Sequence, residues 1–186
     1  MRAFGVKSLE ACLVLKISNP HLRPDSMERV SRYCIENNSV FLITEHMDSG
    51  RFYGLLQQYD CYLSLHRAEG FGFPLAESMY FGKPVIATGW SGNMEFMNVG
   101  NSLAVQYEIV ELEKDAPPYR KGNRWADPDL NHAAYLMRLV VEDSAIARQI
   151  GNQAMTDMQN DYSPQAIGRL IRDRLEVISK LYSQEE

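Results

Sequence analysis

Two carboxylates flank a glycine-rich turn in the run Arg67-Ala68-Glu69-Gly70-Phe71-Gly72-Phe73-Pro74-Leu75-Ala76-Glu77, with seven residues between Glu69 and Glu77. A strand-like run, Cys61 to His66, precedes the turn, and a helix-like run, Pro74 to Phe81, holds the second acid. Strand, glycine turn and helix in this order aim backbone N–H groups and a helix dipole at a bound anion. Two acids beside an anion repel it unless they address something else. Hydroxyls of a sugar and of a ribose are the natural partners, because an ionised carboxylate is a strong acceptor for O–H donors. The segment reads as a nucleotide-sugar site. Glu69 is placed at the carboxyl end of a central strand, where open α/β sheets bind ligands. Glu77 is placed in the first turn of its helix, where a carboxylate also gains from the dipole.

A second small-residue loop follows. Gly82-Lys83-Pro84-Val85-Ile86-Ala87-Thr88-Gly89-Trp90-Ser91-Gly92-Asn93 reads as a helix stop, a buried strand and a loop at the same sheet edge. Ser91, Gly92 and Asn93 are thereby aimed at the same ligand from the neighbouring strand.

The elements that must position these residues are legible as short apolar runs. Ala11–Ile17, Val40–Thr44, Cys61–His66 and Pro84–Thr88 are nearly continuous in apolar character, as in parallel strands covered on both faces. Ser102–Val105 makes a fifth strand. Met27, Val30 and Cys34 recur at helical spacing after Pro24-Asp25, and Phe52, Leu55, Leu56 and Tyr59 do so after Asp48-Ser49. Alternation of this kind predicts a Rossmann-like, doubly wound parallel α/β sheet flanked by helices. Gln106 to Arg124 reads as a loop or irregular hairpin. Three helices then form a carboxyl-terminal extension, one opened by Asp127-Pro128, one capped by Ser144 and one opened by Ser163-Pro164. Residues 1–186 are read as a single domain.

A net charge of −5 argues against a nucleic-acid surface, and the Arg120, Lys121, Arg124 cluster reads as a solvated loop. Cys12, Cys34 and Cys61 lack metal or redox spacing and suit buried, reduced thiols in the cytoplasm. No apolar stretch approaches the roughly 20 residues that a membrane span needs, and no signal peptide is visible. His21, His46, His66 and His132 are scattered without ligand spacing. Asp127-Pro128-Asp129 spells the D-x-D of metal-dependent transferases but reads as a helix cap rather than a cation site.

The run Glu69-Gly70-Phe71-Gly72-Phe73-Pro74-Leu75-Ala76-Glu77-Ser78-Met79, with Gly82-Lys83-Pro84-Val85-Ile86-Ala87 after it, resembles the donor-site signature of retaining GT-B glycosyltransferases of the family-four type (glycosyl transferases group 1). The loop Thr88 to Phe96 and Trp125-Ala126-Asp127-Pro128-Asp129 are also similar to bacterial members. The resemblance runs from about Leu13 to the final helix and implies the carboxyl-terminal, donor-binding half of a GT-B fold. It implies that Glu69 is the catalytic-site acid that contacts the donor hexose, and that Glu77 accepts from the ribose diol. Gly70, Phe71, Gly72 and Phe73 would lie against the sugar and diphosphate, near Arg67. Such enzymes need no divalent metal and no cofactor beyond the nucleotide sugar; a helix dipole and basic side chains stabilise the leaving diphosphate.

In that family the donor domain opens with a further strand and a loop carrying an arginine and a lysine. This chain is expected to open, near Arg2-Ala3-Phe4, in the helix after that loop, and the acceptor-binding amino-terminal domain is expected to be absent. Lys16 and Arg67 lie at strand ends, neither in the basic-pair position. The function implied is transfer of a hexose, with retention, to a glycan or lipid-linked acceptor reached through that other domain. The alternative is a non-catalytic nucleotide-sugar-binding subunit or fragment that needs a partner, and a third is a sugar-nucleotide epimerase. The expected location is cytoplasmic, with peripheral attachment to the inner membrane face.

Overall fold

A computed structural model of the chain describes residues 3–5 and 11–182. In chain order the elements are β1 (Leu13–Lys16), α1 (Pro24–Glu36), β2 (Val40–Ile43), α2 (Ser49–Gln58), β3 (Tyr62–Ser64), α3 (Phe73–Tyr80), β4 (Val85–Thr88) and β5 (Leu103–Val105). The hairpin β6 (Tyr107–Glu111) and β7 (Arg124–Pro128) follows, then α4 (Leu130–Glu142), α5 (Ser144–Asp161) and α6 (Pro164–Tyr182). The α/β alternation and the parallel pairing bear out the predicted fold class.

β4 is the centre of a three-stranded parallel sheet in the order β3-β4-β5, with Ile86 opposite both Leu63 and Leu103. All of its residues are buried. Side chains alternate across a strand, so Val85 and Ala87 join a cluster with Leu75 and Met79 of α3 and Ala154 and Met158 of α5. Ile86 faces the other way, into Val105 and Ala133 and Leu136 of α4. Helices therefore cover both faces, which is why the strand tolerates no polar alternation. Gly151 lets α5 close on the end of α3: a Cβ there would stand 2.2 Å from the Gly82 carbonyl oxygen.

β1 and β2 form a separate parallel pair, Leu13 opposite Val40 through Lys16 opposite Ile43, and are not hydrogen-bonded to β3. The expected helix at Arg2-Ala3-Phe4 is not seen where the structure can be described; Ala3 and Phe4 form a turn, and Arg2 lies outside the described residues.

The carboxyl-terminal extension corrects two expectations. Asp127 and Pro128 belong to β7, an edge strand where a missing N–H is tolerated. Asp129 is the cap of α4, accepting from the N–H groups of Asn131 and His132. Asp143 rather than Ser144 caps α5, through the N–H groups of Ala145 and Ile146. Cys12 is exposed rather than buried. Burial does push the Cys61 thiol up to about 12.

Candidate functional site

Strand β3 ends at Ser64, and the chain turns through His66 to Gly72 before α3 begins at Phe73. Gly72 adopts the left-handed conformation (φ 92°) and caps α3 without a side-chain hydrogen bond. The first-turn N–H groups of α3 therefore have no side-chain cap, the arrangement that suits an incoming anion. Glu77 lies in the second turn of α3, not the first, and no acid occupies the first turn. It therefore gains little as a helix-start charge, an effect confined to the first turn.

The second loop is locked onto the first. The Ser91 hydroxyl donates to the Glu69 carbonyl (2.6 Å), the Glu69 N–H donates to Ser91 Oγ (3.3 Å), and the Gly92 N–H donates to the Glu69 carbonyl (3.1 Å). Ser91 holds a φ of 83° to do so, a backbone region that L side chains rarely adopt and that persists where surroundings over-determine it. A Cβ on Gly92 would fall 1.8 Å from the Gly70 carbonyl oxygen, so the two turns touch backbone to backbone. Gly70 itself faces open space. The sterically demanding glycines are Gly72 and Gly92.

His66 is a brace inside this lock. Its Nε2 stands 3.0 Å from the Trp90 carbonyl and 3.1 Å from Asn93 Oδ1. Asn93 Nδ2 donates to the Thr88 carbonyl (3.0 Å), which turns Oδ1 toward the imidazole. Facing two acceptors, Nε2 carries the proton, and Nδ1 accepts from the Ser64 hydroxyl (3.1 Å). Asn93 is fully buried. The side chains of Ser91 and Asn93 thus hold the loop together, while Gly92 brings its backbone alongside Gly70.

Around this lock, the remaining predicted residues separate by direction. Glu69 Oε1 accepts from the Gly70 N–H (3.0 Å). Phe71 turns its ring inward, 5.1 Å from the ring of Phe96, whereas Phe73 is exposed. Arg67 pairs with Asp127 (2.6 Å) and lies over the Trp125 ring (5.0 Å), and the Ala126 N–H donates to the Arg67 carbonyl (2.9 Å). That set docks the β6–β7 hairpin on the site loop, so Arg67 arrives at the site already paired. Glu77 accepts from the Tyr53 hydroxyl through Oε1 (3.1 Å). The hydrogen bond and the charge of Glu77 raise the Tyr53 phenol above its ordinary value. Burial, then Glu69 and Glu77, raises that of Tyr62. Both stay protonated at neutral pH.

Residues 27–115 match the family model described as glycosyl transferases group 1. The likeness read from the paired-acid motif is borne out over that segment, which contains both loops. Among solved structures the fold is similar to that of Anabaena HepE in complex with UDP-glucose, at a TM-score of 0.67 and 18% identity, covering 92% of this chain and 42% of that one. It is also similar to sucrose-phosphate synthase from Thermosynechococcus elongatus, at 0.63 and 21% identity over 89% of this chain and 39% of that one. A glycosyltransferase from Rickettsia africae aligns at 0.63 and 18% identity, over 92% and 40% of the two chains. The chain thus spans about two fifths of the length of these structures. No curated protein matches the chain significantly.

Sequence reading missed Tyr53, Asp127 and Trp125 as neighbours of the site. No local signal marks Tyr53, because α2 meets α3 only in the folded chain, through side-chain contacts such as Tyr53 with Glu77 and Tyr59 with Ser78. Asp127 stood in a motif that suggested a helix cap, and Trp125 just before it. Among the described residues no group of His, Cys, Asp and Glu could hold a metal ion, and no helix is long and apolar enough to cross a membrane.

Proposed function

We propose that this chain is the donor-binding half of a glycosyltransferase that takes a nucleoside diphosphate sugar and, in a full-length enzyme, passes the hexose with retention to a glycan or lipid-linked acceptor. The observation that carries this reading is the placement of Glu69 and Glu77 on either side of a turn that brings Gly70 and Gly72 to the start of α3, within the segment that matches the family. The HepE structures, described in complex with UDP, with UDP and glucose, and with UDP-glucose, support it through a shared fold.

Glu69, at the loop edge, addresses hydroxyls of the hexose near the bond that breaks. Glu77 accepts from the ribose. The uncapped N–H groups of α3 meet the diphosphate, and no step calls for a metal ion. As the glycosidic bond breaks, the nucleoside diphosphate leaves with the electron pair and takes up the proton of the acceptor hydroxyl, whose oxygen bonds to the anomeric carbon. The acceptor is held by a further domain or a partner chain. Donor binding takes place on the cytoplasmic side, with peripheral attachment to the membrane face.

The test is calorimetric titration with nucleoside diphosphates and their sugars in the presence of EDTA. Glu77→Ala removes charge-assisted hydrogen bonds worth about 1.5–3 kcal/mol, or about 10- to 150-fold in affinity. An unchanged affinity in a folded variant would remove Glu77 from the site.

A further inference from the structure

Tyr53 stands on α2, outside the strand-turn-helix unit, yet its hydroxyl donates to Glu77 Oε1 at 3.1 Å. Its ring lies 6.0 Å from that of Phe81, just past α3. Two further contacts hold α2 and its carboxyl end against α3. Lys83 Nζ donates to the Gln57 carbonyl (2.8 Å), and the Tyr59 hydroxyl meets Ser78 Oγ at 2.5 Å. These side-chain contacts fix where Tyr53 sits.

The chemistry of this pair is specific. A phenol that donates to a carboxylate keeps lone pairs with which to accept. Glu77 Oε2 shows no hydrogen-bond partner among the described residues, and Tyr53 is 40% exposed. Two acceptors, one on each side chain, thus stand side by side within reach of solvent. A ribose presents two adjacent O–H donors. With Oε1 already engaged, Glu77 alone would meet the diol through one free oxygen.

We propose that Tyr53 is a specificity-determining residue of the ribose site: Glu77 Oε2 accepts from one ribose hydroxyl and Tyr53 Oη from the other, while the Tyr53 hydrogen bond fixes the rotation of the carboxylate. The proposal rests on the donor-site reading above and adds a consequence to it. The site distinguishes ribonucleotides from their deoxy analogues through two residues on different helices.

The experiment is titration of the wild-type chain and Tyr53→Phe with UDP, ADP and GDP, and then with the 2′-deoxy and 3′-deoxy forms of whichever binds tightest. Phenylalanine keeps the ring and its packing, and thermal melts confirm the fold. Tyr53→Phe is expected to weaken the ribonucleotide about three- to tenfold, the loss of one neutral hydrogen bond. It should weaken least the one deoxy analogue that lacks the hydroxyl Tyr53 accepts, because only the positioning of Glu77 is lost there. An equal loss for all three nucleotides would make Tyr53 a packing residue and overturn the proposal, as would no loss for any. Wild-type binding with a flat Tyr53→Phe response removes Tyr53 alone. No binding of any ribonucleotide by the folded wild-type chain removes the donor-site reading and this proposal together.

Discussion

The two parallel sheets among the described residues are written in the same kind of sequence and differ in what covers them. In the β3-β4-β5 sheet, β4 is buried from end to end between α3 and α5 on one face and α4 on the other. In the β1-β2 pair, Val14 and Phe41 are register partners and are 41% and 53% exposed, and α1 carries no buried residue. Apolar strands of similar length thus end in different environments. The site loops grow from β3 and β4, in the part of the molecule where packing leaves a backbone no alternative positions.

Three changes would break or sharpen that contrast. The largest effect is expected from truncating the covered half. Met79→Ala should cost about 2–5 kcal/mol, because Met79 is fully buried among residues of β4 and α5. Phe41→Ala on the open sheet should cost less than about 1 kcal/mol. Urea denaturation of both variants checks this, and equal costs would mean that the two sheets are equally covered.

The next effect is local. Gly92→Ala forces a methyl group onto the Gly70 carbonyl, so the two loops must separate. Overpacking of this kind costs about 1–3 kcal/mol. Nucleotide affinity should fall with it, while Gly70→Ala, which meets open space, leaves stability nearly unchanged. Similar melts for both variants would contradict the close approach of the two turns.

The smallest is a dependence on pH. The Cys61 thiol, raised by burial from 9.0 to about 12 in the folded chain, ionises earlier once unfolded. Its contribution is therefore complete below about pH 9 and is lost as pH rises from there toward 12. Cys61→Ser should flatten that alkaline loss of stability. At pH 8, exposed Cys12 should react rapidly with a thiol reagent while Cys61 stays protected until unfolding.

Much of the site was legible because its signals are local. Gly72 before Phe73-Pro74 marks a left-handed residue and a helix start within three positions, and the paired acids lie on the same unit. The helix-cap reading of Asp127-Pro128 failed because two caps in succession, Asp127 and Asp129, compete, and strand pairing with Tyr107 and Glu108 decided for the second. The paired state of Arg67 was equally hidden, since its partners Trp125 and Asp127 lie on a strand that sequence reading took for the start of a helix.

By itself the sequence determined the α/β alternation, the turn that opens α3 and the acids at its two ends, since periodicity, glycine and proline act on neighbours a few residues away. Tertiary structure decided the rest. It set which apolar strand is buried, brought Gly92 against Gly70, paired Arg67 with Asp127 and placed the Tyr53 hydroxyl on Glu77. Such contacts join segments distant along the chain, and packing alone chooses among the many partners that side-chain chemistry would accept.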